Sequence, residues 1–329
     1  MPATRRGFTL VELLTAIAIL GLLIALVFPS LSGARQKAKS NVCLSQLKGL
    51  GSGVVVYLTE NKDTFFPVRL ERLRPTDGEC NVDEPPYDGC YVNSEGQAAP
   101  RWQWFIETGM GAVVDPSPFR RDGHIPFGDW THARANPLKM TVDVFSCPAL
   151  VEPEFQKNIR DGAFGYNYQY LGNTRTDTTI TRWDNFAVRL HEIKAPAQTV
   201  TLADSRGFGP KHGEHSYTLD PPRLATEKNA KRFGPAPSPT GAFVPQAYSP
   251  AENRHVGRAN VVFADAHGES MTLAELGYEV SDGVENYPGH KKGEPVPIRE
   301  TEDGPYKANN HLWNGKGSDE VAAKANAPP

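Results

Sequence analysis

The feature that most constrains this chain is an apolar run near its start, from Phe8 to Phe28, which contains a single charge, Glu12. As a helix rising 1.5 Å per residue, the run extends about 31 Å, close to the thickness of a bilayer's hydrocarbon layer. Arg5 and Arg6 precede it, so the N-terminus is expected to stay in the cytoplasm while the bulk of the chain is exported. Basic residues also follow the run and weaken this charge argument. The run therefore predicts a membrane-spanning helix.

The acidic residue inside the run separates it from an ordinary signal peptide. A carboxylate at mid-membrane costs about 2.5–3.5 kcal/mol, and less near an end of the span. Neither a signal peptide nor a plain membrane anchor gains anything from Glu12. The signal-peptide alternative has a small-residue cleavage site at Ser32-Gly33-Ala34, but its apolar core would be long for that purpose.

The residues around the start of the run resemble the processing signature of type IV pilins and type II secretion pseudopilins. They read Gly7-Phe8-Thr9-Leu10-Val11-Glu12, with Pro29 closing the apolar run. The resemblance implies that a prepilin peptidase cuts after Gly7 and methylates the new amino group of Phe8. Glu12 and Pro29 then fall at the positions of the mature chain where the family usually has them.

The same resemblance implies a role for Glu12 in assembly. Cleavage creates a cationic amine at Phe8, and the Glu12 carboxylate of one subunit can meet the amine of its neighbour. Pairing removes most of the penalty for a buried charge and fixes the axial register between subunits. The expected partners are prepilin peptidase, other pilin-like subunits and an inner-membrane assembly platform. Nucleic acid is not expected, since the net charge is −3 and gives no basic excess.

The rest of the chain predicts an α+β protein with a pilin-like fold. Its long N-terminal helix would pack on a C-terminal antiparallel β-sheet with long loops, because Gly 30 and Pro 28 indicate many turns. Apolar residues recur at nearly helical spacing from Leu31 to Leu58, including Val42, Leu47 and Leu50, which predicts an amphipathic helix. The predicted segments are a cleaved leader (1–7), a transmembrane and assembly helix (8–28), its amphipathic continuation (29–60), a periplasmic globular domain (61–275) and a polar, partly flexible tail (276–329).

A second motif lies in the predicted sheet. Residues 142–148 and 199–204 read as strands, the latter ending at Asp204, and two further strands form a hairpin around Asp265-Ala266-His267-Gly268. His255 precedes Asp265 by nine intervening residues. This spacing resembles the H-x9-DG prepilin-like proteins of planctomycete-type bacteria, although the glycine expected after Asp265 is Ala266 here.

Three interpretations of this motif are open, and the structural one is favoured. In it, Asp265 caps the hairpin turn and His255 hydrogen-bonds to Asp265 or to backbone. In the second, Asp204 and Asp265, with one or both of His255 and His267, hold a metal. Calcium is the ion considered, although it needs six to eight oxygen ligands and histidine is a poor one.

The third interpretation is a hydrolase in which His255 activates a nucleophile such as Ser205 or Ser270. No nucleophile elbow, metalloprotease motif or triad spacing supports it. We therefore expect no catalytic residue, no enzymatic activity and no required cofactor, with Ca²⁺ as the weaker expectation.

The four cysteines are compatible with two disulfides in an exported protein. Three pairings are possible, and free thiols are also possible. The local choice pairs Cys80 with Cys90, which leaves Cys43 with Cys147 and would tie the helix to the sheet.

The function expected from the sequence is a structural pseudopilin or pilin-like subunit. It would cross the inner membrane once, with its C-terminal domain in the periplasm, and then enter a type II secretion or type IV pilus-like filament. The alternative is a surface protein that uses the same export route to bind a ligand such as polysaccharide. Its binding row would be formed by exposed tryptophans, with Trp102, Trp104 and Trp313 as candidates.

Overall fold

A computed structural model shows how the helix and the sheet are joined. It describes residues 9–68, 102–103, 105–106, 114–115, 139–140, 143–150, 163–175, 183–185, 188–205, 217–224, 249–281, 292–296, 298–299 and 308–319.

The first element is a single helix, α1, from Leu10 to Glu60, 51 residues long. Thr9 caps its start, since the Thr9 side chain accepts the N–H of Glu12 while the Glu12 carboxylate accepts the N–H of Thr9. Such a reciprocal box satisfies two of the donors that a helix N-terminus leaves open. Asn61 is the C-cap of the helix. At about 1.5 Å per residue, α1 is roughly 77 Å long.

The two halves of α1 have different surroundings. The large apolar side chains that the structure describes between Leu10 and Leu31 are exposed. Further along, one face enters the hydrophobic core, and its buried apolar members are Cys43, Leu47, Leu50, Val54 and Leu58. Val42, which the periodicity placed on this face, is 48% exposed, and its neighbour Cys43 is buried instead.

A four-stranded antiparallel sheet lies against this second half of α1. Its strands run in the order β3 (Phe164–Tyr166), β6 (Val200–Asp204), β8 (Ala259–Phe263) and β9 (Gly268–Met271). The helix contacts β8, β9 and β6. This arrangement confirms the α+β class and the predicted hairpin.

The remaining elements are short. They are β1 (Val114–Asp115) paired with β2 (Lys139–Met140), β4 (Asn173–Arg175) paired with β5 (Trp183–Asn185), β7 (Arg223–Leu224) paired in parallel with β10 (Ile298–Arg299), the helix α2 (Tyr168–Leu171), and 3₁₀ turns at Asp143–Phe145, Leu190–Glu192 and Pro196–Gln198.

The strand predicted over residues 142–148 is wrong, since the described part of that segment forms a 3₁₀ turn, two residues without regular structure and the start of another turn. The alternation that suggested a strand is present, because Phe145 and Cys147 are buried and Val144 and Ser146 are less so. The alternation arises because the 3₁₀ turn packs one of its sides against α1. A pattern of period two reports which side chains are buried, but not whether a partner strand lies alongside.

The C-terminal segment 308–319 returns to the body of the protein. Trp313 is fully buried, and its Nε1–H donates to the carbonyl of Leu276 at 2.8 Å. The buried Arg223 forms an ion pair with Asp319 at 2.8 Å. Trp313 therefore docks on its own subunit. The predicted segment boundaries themselves stay a prediction.

Candidate functional site

The first candidate site is the exposed N-terminal half of α1. Thirteen large apolar side chains lie at least 45% exposed there: Leu10, Val11, Leu13, Leu14, Ile17, Ile19, Leu20, Leu22, Leu23, Ile24, Leu26, Phe28 and Leu31. The stretch Leu31–Glu60 is also long and apolar enough to cross a membrane, but 39% of its most apolar window is buried inside the protein. We therefore assign the membrane-facing surface to the first half, whose large apolar side chains stay exposed among the residues that the structure describes.

Glu12 stands at the start of that surface. The Thr9 N–H and the Thr9 hydroxyl each donate to Oε2 of Glu12 at 2.8 Å, which holds the carboxylate over the helix N-terminus. Negative charge is favoured there because the helix dipole is positive at that end. Gly7 and Phe8 lie outside the described residues. Cleavage after Gly7 would leave the Thr9 N–H in a peptide bond, so the capping box would survive processing.

The second candidate site is a buried cluster where α1 meets the sheet. A disulfide joins Cys43 of α1 to Cys147, across 104 positions of sequence. This pairing confirms the predicted tie between the helix and the body. The other predicted pair, Cys80 and Cys90, lies outside the described residues.

His255 and Asp204 lie beside that disulfide. Nε2 of His255 is 3.1 Å from Oδ2 of Asp204 and 3.6 Å from Sγ of Cys147. Oδ2 of Asp204 also accepts the N–H of Asn260 at 2.7 Å, and Nε of Arg254 lies 3.8 Å from Oδ1. All these groups are buried or nearly so, and a buried carboxylate is tolerated because such donors compensate its charge.

A strained two-residue turn positions His255. Its N–H donates to the carbonyl of Arg258 at 3.0 Å, and the Arg258 N–H donates back at 3.2 Å. The turn residues Val256 and Gly257 have φ of 55° and 80°. A positive φ is usual for glycine, but it is an outlier for a β-branched residue such as valine. Sequence reasoning missed this turn, and the adjacent Val-Gly pair was only a weak signal for it.

Asp265 and His267 lie at the other end of β8. Asp265 Oδ1 accepts the backbone N–H of His267 at 3.1 Å and lies 2.6 Å from its Nδ1. The His267 ring stacks on Phe263 with centroids 4.3 Å apart. Ala266 has φ of 68°, so the position that holds glycine in the H-x9-DG pattern is one that favours glycine on backbone grounds.

The structure therefore divides the predicted motif into two pairs. His255 lies with Asp204 near the start of β8, and Asp265 lies with His267 after its end. A five-residue strand separates them by roughly 15 Å. Asp204 and Asp265 thus cannot ligate one calcium ion, and His255 does not hydrogen-bond to Asp265.

The described geometry also gives the hydrolase interpretation no support. A triad histidine uses one ring nitrogen for the acid and the other for the nucleophile. Here the carboxylate and the sulfur share Nε2. Ser205 is buried and its hydroxyl donates to the Thr218 carbonyl, while the Ser270 hydroxyl donates to Oδ1 of Asn260.

Comparison with known proteins gives the family. A family described as the prokaryotic N-terminal methylation motif matches residues 3–28. Type II secretion system core protein G of Klebsiella michiganensis is 38% identical over 140 residues, which cover 39% of this chain and 94% of that protein. The core protein G of Dickeya chrysanthemi is 39% identical over 61 residues, and that of Escherichia coli (strain K12) is 37% identical over 57. These matches cover 18% and 17% of this chain, and 40% and 39% of those two proteins. No solved structure matches.

An apolar helix that begins at a methylation motif and then packs on an antiparallel sheet defines a prepilin-like protein. The chain belongs to the family of type II secretion system core protein G.

Proposed function

We propose that this chain is a structural subunit of a type II secretion or type IV pilus-like filament. Prepilin peptidase cuts between Gly7 and Phe8 and methylates the Phe8 amine. Residues 8–28 hold the subunit in the inner membrane, with its N-terminus cytoplasmic and its globular domain periplasmic. An inner-membrane platform then transfers the subunit into a filament with other pilin-like subunits. The chain itself catalyses no reaction.

The observation that carries this proposal is the exposed apolar half of α1. Its thirteen large side chains would gain on the order of 10–25 kcal/mol by leaving water, at about 1.5–3 kcal/mol for each side chain that goes from full exposure to full burial and with 45–74% of each side chain exposed. That is comparable to or greater than the whole stability of a typical domain, about 5–15 kcal/mol. Such an apolar surface has to be shielded from water, and both lipid and the helices of other subunits can shield it.

Glu12 would set how far neighbouring subunits are shifted relative to one another along the filament axis. In lipid or between helices, the carboxylate is costly unless a cation meets it. The amine that cleavage would create at Phe8 is such a cation. The capping box with Thr9 holds the carboxylate at the end of the helix nearest that amine, where a neighbouring subunit shifted along the filament axis can reach it.

Within this class, we assign the chain to the H-x9-DG prepilin-like group. The spacing of His255 and Asp265 supports the assignment, as does the left-handed backbone of Ala266 at the motif's glycine position.

The ligand-binding alternative receives no support from the described tryptophans. Trp102 and Trp313 are fully buried and cannot form an exposed binding row. Trp104 lies outside the described residues.

Intact-mass analysis of the chain from its native membrane tests the proposal. We expect a mature chain that begins at N-methyl-Phe8. A chain that starts at Met1 or after Ala34 would refute processing. Glu12→Gln should be processed normally but fail to enter sheared filament fractions, whereas Glu60→Gln, on the same helix, should assemble like wild type. Normal assembly of Glu12→Gln would remove the role assigned to the carboxylate.

A further inference from the structure

We propose that Cys43, Cys147, His255 and Asp204 form a zinc site when the disulfide is reduced. The site would hold the same junction between α1 and the sheet by coordination instead of by a covalent bond. It is separate from the assembly surface at the N-terminal half of α1.

The ligand atoms already converge. The two sulfurs and a ring nitrogen of His255 lie within 4.8 Å of one another, and Oδ2 of Asp204 is 3.1 Å from Nε2. In a tetrahedral zinc site, bonds of about 2.0 Å to nitrogen or oxygen and 2.3 Å to sulfur place neighbouring ligands about 3.3 Å (N to O) and 3.6 Å (N to S) apart. The observed distances from Nε2 of His255, 3.1 Å to Oδ2 of Asp204 and 3.6 Å to Sγ of Cys147, are close to these values. The two sulfurs, now bonded, would have to separate to about 3.8 Å, the spacing of two thiolates on a tetrahedral zinc.

The donor set is one that zinc takes. Two thiolates and an imidazole are soft to borderline ligands, which favour Zn²⁺ over calcium or magnesium. With neutral His255, two thiolates and one carboxylate give Zn²⁺ a net charge of −1. The guanidinium of Arg254 lies 3.8 Å from Oδ1 of Asp204 and also pairs with Oε2 of Glu252 at 2.9 Å, so it offsets only part of a charge that is costly to bury.

The outer contacts suit a metal site as well. Oδ2 of Asp204 accepts the Asn260 N–H, and paired backbone bonds hold His255 to Arg258. Contacts of this kind orient metal ligands and tune their affinity. The four ligands come from α1, the chain after the 3₁₀ turn, the end of β6 and the turn before β8.

The conversion balances with a dithiol or phosphine reductant. A dithiol gives two electrons and two protons to the disulfide, becomes a disulfide itself and leaves Cys43 and Cys147 as thiols. Each thiol then releases its proton to solvent as its sulfur binds Zn²⁺. The neutral His255 ring binds through Nε2 and carries its hydrogen on Nδ1.

Metal titration of the full-length chain in detergent tests the site. The background variant Cys80→Ser/Cys90→Ser leaves only the two thiols of interest, and a phosphine keeps them reduced. We expect one Zn²⁺ per chain, and with Co²⁺ as a probe, tetrahedral absorption bands and a thiolate charge-transfer band. Cys147→Ser, His255→Ala and Asp204→Asn each remove or weaken a proposed ligand, so each should weaken binding by at least about 100-fold, the upper end of what loss of an outer-shell partner costs. His267→Ala, a histidine at the other end of β8, should bind like the background.

Either of two results of the titration would overturn the proposal. One is that a chelator of micromolar affinity keeps its Zn²⁺ when the reduced chain is added. The other is binding that persists in Cys43→Ser/Cys147→Ser, which would place the metal elsewhere. If reduction unfolds the chain, Zn²⁺ should restore its far-ultraviolet circular dichroism, because metal binding and folding are coupled. A reduced chain that Zn²⁺ fails to refold counts against the site equally.

Discussion

Gly51 allows α1 to approach β8 closely. A Cβ placed on this residue would lie 2.6 Å from Cγ1 of Val262 and 3.6 Å from Cα of Ala266. Separations under 3 Å are not tolerated, and the valine has little freedom to move because its branched side chain is fixed at χ1. We therefore predict that Gly51→Ala forces the helix away from the sheet. Gly33 offers the matched control, since it lies in the same helix with nothing within 4 Å of its Cβ position.

Two opposing effects set the magnitude. Alanine is favoured over glycine within a helix by about 1 kcal/mol. Overpacking of a well-filled core costs about 1–3 kcal/mol. Gly33→Ala should therefore stabilise the protein by about 1 kcal/mol, while Gly51→Ala should be neutral or destabilising by up to about 2 kcal/mol. The difference between the two variants is thus about 1–3 kcal/mol, or a Tm difference of roughly 2–8 °C.

Thermal unfolding of the full-length chain in detergent, followed by near-ultraviolet circular dichroism, measures this difference. Val262→Ala removes the atom that the new Cβ would strike. In that background, Gly51→Ala should become stabilising by up to about 1 kcal/mol. The reasoning fails if Gly51→Ala raises Tm as much as Gly33→Ala does, or if the Val262→Ala background leaves its effect unchanged.

Three further predictions concern the turn after β8 and the C-terminal segment. Ala266→Gly should stabilise by about 0.5–1 kcal/mol, because glycine adopts the positive φ without strain; an unchanged or lower urea midpoint would contradict this. Trp313→Phe should cost about 1–3 kcal/mol, since it leaves the buried Leu276 carbonyl unpaired, and limited proteolysis should then release the C-terminal segment earlier than in wild type. Burial lowers the pKa of His311, partly opposed by Asp319, so the unfolded chain holds that proton more tightly. Stability should therefore fall as pH drops below the ordinary histidine value, about 6.5, and His311→Gln should flatten that slope in urea titrations from pH 7.5 to 5.

The N-terminal helix was predictable because its constraints are local. An apolar run, one acid and helical periodicity can be read along a single segment, and Leu47 and Leu50 lie on the buried face as predicted. The β8–β9 hairpin was predictable for the same reason, since alternation and turn residues are adjacent in sequence. The Cys43–Cys147 pairing was predictable as the pair that remains once Cys80 and Cys90, which are close in sequence, are paired with each other.

The buried cluster was not predictable, because it depends on the order of strands. Asp204 reaches His255 only because β6 pairs with β8, and periodicity does not give the neighbours of a strand. The nine-residue spacing suggested that His255 and Asp265 act together, yet those residues span the whole of β8. The C-terminal segment is a similar case, since its polar composition conceals buried partners such as Arg223 for Asp319.

The position of Cys43 has a mechanical consequence. It is the first residue of the buried apolar face that is met on passing along α1 from the N-terminus. A pulling force applied to the exposed half of the helix would first meet the hydrogen bond that Nδ2 of Asn260 donates to the Ser40 carbonyl, and then, three residues on, this cysteine. There the bond to Cys147 would share the load with the chain beside the sheet. Beyond that hydrogen bond, peeling of the helix from the sheet, which would otherwise proceed one side chain at a time, would have to break a covalent bond.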